Sequence, residues 1–164
     1  MRVVKADDYQ TWFIEEDGFG VMIDPWLDKK LNPESSVLLQ RERQETSSLS
    51  QKELDQVKVV IVTAPFIDHL HIPSIKKLNN KVKIITTKKV RKILIKNQII
   101  NSIACIDSQI IEIGPFKLSV FPAGFPYSWS AFCFFLENNE GKTIFHEGHM
   151  TNFNTLRKLA VCPS

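Results

Sequence analysis

Val59-Val60-Ile61-Val62-Thr63-Ala64-Pro65-Phe66-Ile67-Asp68-His69-Leu70-His71 is the stretch from which the rest of the chain can be read. A β-branched run stops at Thr63, a Pro65-containing loop follows, and Asp68, His69 and His71 arrive together where an apolar-periodic helix begins. Side chains at the carboxyl end of a buried strand, and on the turn after it, point into the crevice where α/β proteins place ligands. The chain has four histidines, and they fall in two tight groups, His69 with His71 and His146 with His149.

The segments to either side alternate in type. Upstream, Tyr9 to Ile14 and Phe19 to Ile23 flank an Asp17-Gly18 turn signal and read as a β-hairpin. The hairpin runs into Asp24-Pro25-Trp26-Leu27, where Pro25 ends sheet pairing and Asp24 stands at the strand end as a structural carboxylate for backbone N–H groups. Residues 32–50 are polar and read as a long surface loop or lid, with a helical turn at Val37 to Glu42. Ser50 and Glu53 have the spacing of a capping box, which predicts a short helix before a Val57 to Val62 strand.

Downstream, Pro73 to Leu78 reads as a helix, Lys83 to Thr87 as a strand, Lys88 to Lys96 as a helix and Ala104 to Ile106 as a brief strand. From Gln109 the grammar becomes that of hairpins. Ile110 to Ile113, Lys117 to Phe121, Ala131 to Leu136 and Lys142 to His146 read as strands of a mostly antiparallel sheet. A helix from Asn152 to Leu159, capped by Thr151 or Asn152, ends the reading.

At 164 residues with 43% hydrophobic residues, the expectation is one domain, 1–164, with one ordinary core. No apolar run has membrane-spanning length, and the first residues lack the apolar segment of a signal peptide, so the expectation is a soluble, cytoplasmic protein without a membrane partner. Cys105, Cys133 and Cys162 are far apart and form no CxxC, which argues for buried thiols over a disulfide framework or zinc ribbon. The net charge of +3 gives no case for nucleic acid. Charge is nevertheless uneven: from Leu70 to Ile106 there is no Asp or Glu, against Lys76, Lys77, Lys81, Lys83, Lys88, Lys89, Arg91, Lys92 and Lys96. A solvated helix face is one meaning, and a basic flank that attracts an anionic substrate or nucleic acid is the other.

A hairpin ending in Asp24-Pro25-Trp26-Leu27, a strand ending in Thr63 with Asp68-His69 soon after, and a later strand ending in a Gly-containing polar turn together resemble the metallo-β-lactamase fold superfamily, in its lactonase-like metal-dependent hydrolase branch. That resemblance implies an α/β (α+β) chain folded as an αββα sandwich. It implies an incomplete carboxyl-terminal end too, because the family runs to about 200–250 residues. The family's Thr-His-x-His-x-Asp-His loop reads Thr63-Ala64-Pro65-Phe66-Ile67-Asp68-His69 here, so Ala64 and Phe66 stand where two histidines belong. The next family His falls on Phe125, and the bridging Asp falls on His149 after Gly148. A divergent subgroup reads Asp-Asp-His-x-His in the loop and Glu-Pro-His at the later strand end, and Asp68-His69-Leu70-His71 and Glu147-Gly148-His149 are similar to it.

On this resemblance the metal ligands are Asp68, His69, His71, Glu147 and His149, with Asp68 also catalytic, orienting water or ligating a second ion. Nitrogen and oxygen donors of this kind suit a divalent transition metal, zinc first, then iron or manganese. His69 and His71 would face one side on an extended loop but diverge on a helix, so the helix is expected to start after them. The implied activity is hydrolysis of a small ester, lactone or phosphate substrate by metal-activated water. Each residue has a plainer reading: Asp68 as a helix cap, His69 and His71 as loop residues, His146 as a half-buried strand histidine with no partner. The rival function is an inactive relative that uses the same pocket, or an open sheet edge, for binding or homo-oligomer assembly.

Overall fold

The computed structural model describes residues 1–7, 9–31, 41–42, 47–105, 109–154 and 157. In chain order the elements are β1 (Arg2–Lys5), β2 (Trp12–Glu16), β3 (Phe19–Ile23), β4 (Lys30–Leu31), β5 (Arg41–Glu42), α1 (Gln51–Gln56) and β6 (Val57–Val62). There follow α2 (Ile72–Lys77), β7 (Lys83–Thr86), α3 (Lys88–Lys96), β8 (Ser102–Ala104), β9 (Ile110–Ile113), β10 (Phe116–Pro122), β11 (Phe132–Asn138) and β12 (Thr143–His146).

Two sheets face each other. The first has six strands in the order β1-β2-β3-β6-β7-β8, antiparallel through β3 and parallel from β3 to β8. The second has four antiparallel strands, β12-β11-β10-β9. Alternation along β6 divides its side chains between two cores, because successive strand residues point to opposite faces. Val60 and Val62 pack with Ile75, Val90 and Leu94 under the helices, whereas Val59 and Ile61 meet Leu118, Val120, Phe134 and Leu136 of the second sheet. The result is a layered α/β sandwich with helices on the outer face of the six-stranded sheet, the architecture expected for the αββα fold.

Local signals explain most boundaries. Asp17 and Gly18 both take positive φ, 51° and 79°, as a tight hairpin turn between right-twisted strands requires. At α1 the capping box forms in both directions, Ser50 accepting from the Glu53 N–H and Glu53 from the Ser50 N–H. Thr87 caps α3 through Val90 N–H, so that helix spans the range that its apolar spacing indicates. Arg2–Lys5 adds an edge strand to which the sequence reading assigns no element, held by the partner hairpin more than by its own alternation. Two readings need correction. Arg41–Glu42 is a strand paired with Lys30–Leu31, not the end of a helical turn. The brief strand before the second sheet is Ser102–Ala104, shifted by its register against β7. Residues 32–40 and 43–46 of the loop, and residues 155, 156, 158 and 159 of the Asn152 to Leu159 helix, lie outside the described residues. Among the described residues no helix is long and apolar enough to cross a membrane.

This topology gathers one end of the molecule. β3, β6 and β7 run parallel, so Asp24, Thr63 and Thr87, the residues just past them, sit side by side along one rim. β12 also leaves the second sheet at that rim, and Phe132 N–H donates to Thr63 O at 3.1 Å across the two sheets.

Candidate functional site

Thr63 and Asp24 begin the site. Asp24 is 1% exposed and takes a positive φ of 44°, which turns its carboxylate back over the strand ends. Its Oδ1 accepts the Thr63 N–H at 2.8 Å and its Oδ2 accepts the Thr63 hydroxyl at 2.6 Å. The same Oδ2 lies 2.7 Å from His69 Nδ1, and Thr63 Oγ1 lies 3.0 Å from that nitrogen. Since the Thr63 hydroxyl donates its one proton to Asp24, His69 Nδ1 carries a proton toward the carboxylate and Nε2 is left to face the rim. Burial alone pushes the His69 pKa down, but the Asp24 hydrogen bond, the Asp24 charge and the Asp68 charge outweigh it and hold the value above the ordinary one. Asp24 is therefore more than the turn-bonding carboxylate read from sequence.

His69 Nε2 meets His149 Nδ1 at 3.3 Å. Asp68 Oδ2 lies 3.8 Å from the same Nε2 and accepts the Tyr9 hydroxyl at 3.2 Å. Two remote stretches of chain thus come together, as their sequence grouping indicates. The contact depends on Gly148, whose φ is +64° and whose missing Cβ would stand 2.2 Å from Phe132 O. Without a side chain at 148 the loop lies directly on the β11 backbone and delivers His149 to His69. The His149 ring sits against Phe66 at 4.4 Å and edge-on to Tyr127 at 4.5 Å between centroids. Burial, then the neighbouring His69, lower its pKa, with Asp68 opposing.

The other expected ligands are placed differently. Phe66 to Leu70 is a tight turn, with Leu70 N–H donating to Phe66 O at 2.7 Å, so His69 and His71 do not share the one side that an extended loop would give them. The described contacts of His71 run to Ser74 Oγ at 2.7 Å, Asp28 Oδ2 at 3.8 Å and the Trp26 ring, while its backbone caps α2. The helix does start after both histidines. Glu147 is exposed and accepts the Thr151 hydroxyl at 3.3 Å. His146 is not without a partner: its ring stacks on Phe134 at 5.2 Å and its Nδ1 accepts Gly148 N–H. Asp68 does not cap α2, for the α2 cap is His71 and makes no side-chain cap bond. Cys105 contributes no thiolate, since burial pushes its pKa up to about 12.

The donors at the rim are a nitrogen pair with one carboxylate beside it. Two nitrogens bound tetrahedrally at about 2.0–2.1 Å stand roughly 3.3 Å apart, and the His69–His149 separation matches that spacing. The Asp24 carboxylate behind His69 is the partner a ligating imidazole needs to fix its tautomer. Among the described residues, however, no three His, Cys, Asp or Glu side chains are already gathered as a group that could hold a metal ion. The donor chemistry fits a divalent ion, while the gathering is looser than a closed site.

Comparison with known proteins agrees with this architecture. The chain resembles a "possible metal-dependent hydrolase" from Veillonella parvula at TM-score 0.69 and 19% identity, covering 92% of this chain and 64% of that one. It resembles an isothiocyanate hydrolase from Delia radicum gut bacteria at TM-score 0.71 and 17% identity, covering 98% and 67%. A diiron β-hydroxylase from Streptomyces venezuelae shares the fold at TM-score 0.61 and 11% identity, covering 84% and 27%. At such identities these likenesses show the fold, and the chain spans less than two thirds of the Veillonella protein's length. No curated protein matches it. Residues 5–161 match the model of the β-lactamase superfamily domain; on that match, and on the sandwich that carries the Asp24–His69–His149 rim, the chain belongs to this family.

Proposed function

We propose that the chain is a metal-dependent hydrolase with a reduced donor set, in which His69, His149 and Asp68 hold one divalent ion, zinc first among candidates. The observation that carries this reading is the Asp24–His69–His149 line, with contacts of 2.7 Å and 3.3 Å. When bound, such an ion lowers the pKa of water and polarises a carbonyl or phosphoryl oxygen. The protein supplies the rest. Asp24 holds His69 in the tautomer that presents Nε2, the Tyr9 hydroxyl donates to the Asp68 carboxylate, and Phe66 and Tyr127 pack against the His149 ring and orient it. The substrate class proposed is a small ester, lactone or phosphate. His71 and Glu147 are proposed as supporting residues, with His71 tying α2 to Ser74 and Asp28.

Purified protein is expected to carry about one equivalent of transition metal, and stripped protein is expected to gain thermal stability when zinc, iron(II) or manganese is restored. Ligand in hundredfold excess over its Kd stabilises by about 2.7 kcal/mol, a readily measured shift. Stripped protein that none of the three ions refills or stabilises would sink the proposal. The second reading, an inactive binding or assembly protein, draws on one observation: Phe66, standing where the family resemblance places a histidine ligand, packs with Tyr127 against His149 instead. Under it, His69→Ala and His149→Ala alter neither ligand binding nor assembly.

A further inference from the structure

A cavity of about 430 Å³ opens at the carboxyl end of β7, within the range of small-ligand sites. Thr87, Lys88, Ser128, Trp129, Ala131 and Phe132 are among its lining. Its inner wall is shared with the site. Ala131 packs with Ala64 and Ala123 against Phe66 and Tyr127, the two rings that flank His149, and Phe132 bonds to Thr63.

Lys88 is the one charged side chain among the lining residues described. It stands in the first turn of α3 followed by Lys89, with no acidic residue in that turn. A helix N-terminus carries partial positive charge and favours Asp or Glu, so two lysines there work against the helix. No carboxylate among the described residues pairs with Lys88, and the surrounding stretch from Leu70 to Ile106 contains no acid at all. Local rules broken without an evident structural return are expected at functional or strained sites. Trp129, also in the lining, is 92% exposed, an aromatic face left without a protein partner over most of its surface. Thr87 Oγ1 already accepts Val90 N–H, which leaves its hydroxyl proton available to a ligand.

We propose that this cavity seats a carboxylate-bearing arm of the substrate. Lys88 and the Thr87 hydroxyl take the carboxylate, Trp129 covers the apolar stem, and the scissile ester lies toward His69 and His149. The inference rests on the hydrolase reading above, and narrows its substrates to anionic esters.

Two matched probe pairs test it on the metal-loaded full chain. The reactive pair is 4-nitrophenyl hemiglutarate and 4-nitrophenyl butyrate; the inert pair, read by calorimetry, is N-phenylglutaramate and N-phenylbutyramide. Wild type is expected to prefer the charged member of each pair. Lys88→Gln is expected to lower the charged-to-neutral ratio of kcat/KM about tenfold, mostly through KM, and to weaken N-phenylglutaramate by a similar factor, the worth of one charge-assisted hydrogen bond. Lys88→Arg is expected to restore most of both. Wild type without charge preference in either assay, or Lys88→Gln with both ratios intact, overturns the proposal. If neither ester turns over yet N-phenylglutaramate binds in a Lys88-dependent way, the subsite stands and the hydrolase reading falls.

Discussion

Asp24 serves three partners from one buried carboxylate, the Thr63 N–H, the Thr63 hydroxyl and His69 Nδ1. Asp24→Asn keeps the shape but replaces an anion with a neutral amide. It is expected to weaken zinc binding about 10- to 100-fold, the usual effect of losing a carboxylate behind a ligating histidine, measured by competition with a chelator. Asp24→Ala strands the buried His69 partner and is expected to cost about 3–5 kcal/mol in denaturant melts. Gly148 acts through what it lacks: Gly148→Ala must fit a Cβ 2.2 Å from Phe132 O at φ +64°. A loss of about 2–4 kcal/mol is expected, and nuclear magnetic resonance of the imidazoles is expected to show His149 moved away from His69. At this scale the sequence was partly legible. The histidine grouping pointed to His69 and His149, but Asp24 is 45 residues from His69 along the chain, and nothing local shows that its carboxylate turns back. A strand-end Asp followed by Pro25 was the available signal.

Single elements read more plainly where a short motif carries its own physics. The Ser50/Glu53 box and the Thr87 cap are such motifs, and both helices begin where those residues stand. Ser50→Ala is expected to cost about 1 kcal/mol. Glu53 titrates far from its usual range, brought to about 2 first by the Arg2 hydrogen bond and then by the Ser50 backbone. Its folded pKa is below its unfolded one, so the contribution is complete above about pH 4.3 and drains away as pH falls toward about 2. In Glu53→Gln the acid limb of the stability profile is therefore expected to flatten over that window, followed by circular dichroism melts from pH 5 to pH 2. The 66–70 turn shows the opposite case. Pro65 and the apolar residues after it fit either an extended loop or a tight turn, and only packing of Phe66 against Tyr127 and His149 selects the turn that parts His69 from His71.

Across the molecule, parity along β6 divides two cores, so a change at one strand residue reports on one interface alone. Ile61→Ala empties the space between the sheets and is expected to cost about 2–5 kcal/mol, in the same melts. Cys105, with its thiol held near 12, is expected to resist iodoacetamide at pH 8 until the protein unfolds. The two sheets were legible because hairpin grammar and strand-helix alternation change over near Gln109, which is where the chain crosses between them. The short pairings of β1 and of β4 with β5 were not, because edge strands depend on a neighbour more than on their own pattern.

The Asp24–Thr63–His69 knot fastens the ends of two neighbouring strands and the turn beyond them with buried bonds. Its survival is thus a matter of integrity before it is a matter of turnover. A descendant that had abandoned all chemistry would lose stability on discarding it, and so would go on displaying the outline of a working enzyme. Intact appearance at this rim is a poor witness to activity; on the proposed reading, an ion held at His149 is what would distinguish a living catalyst from its likeness.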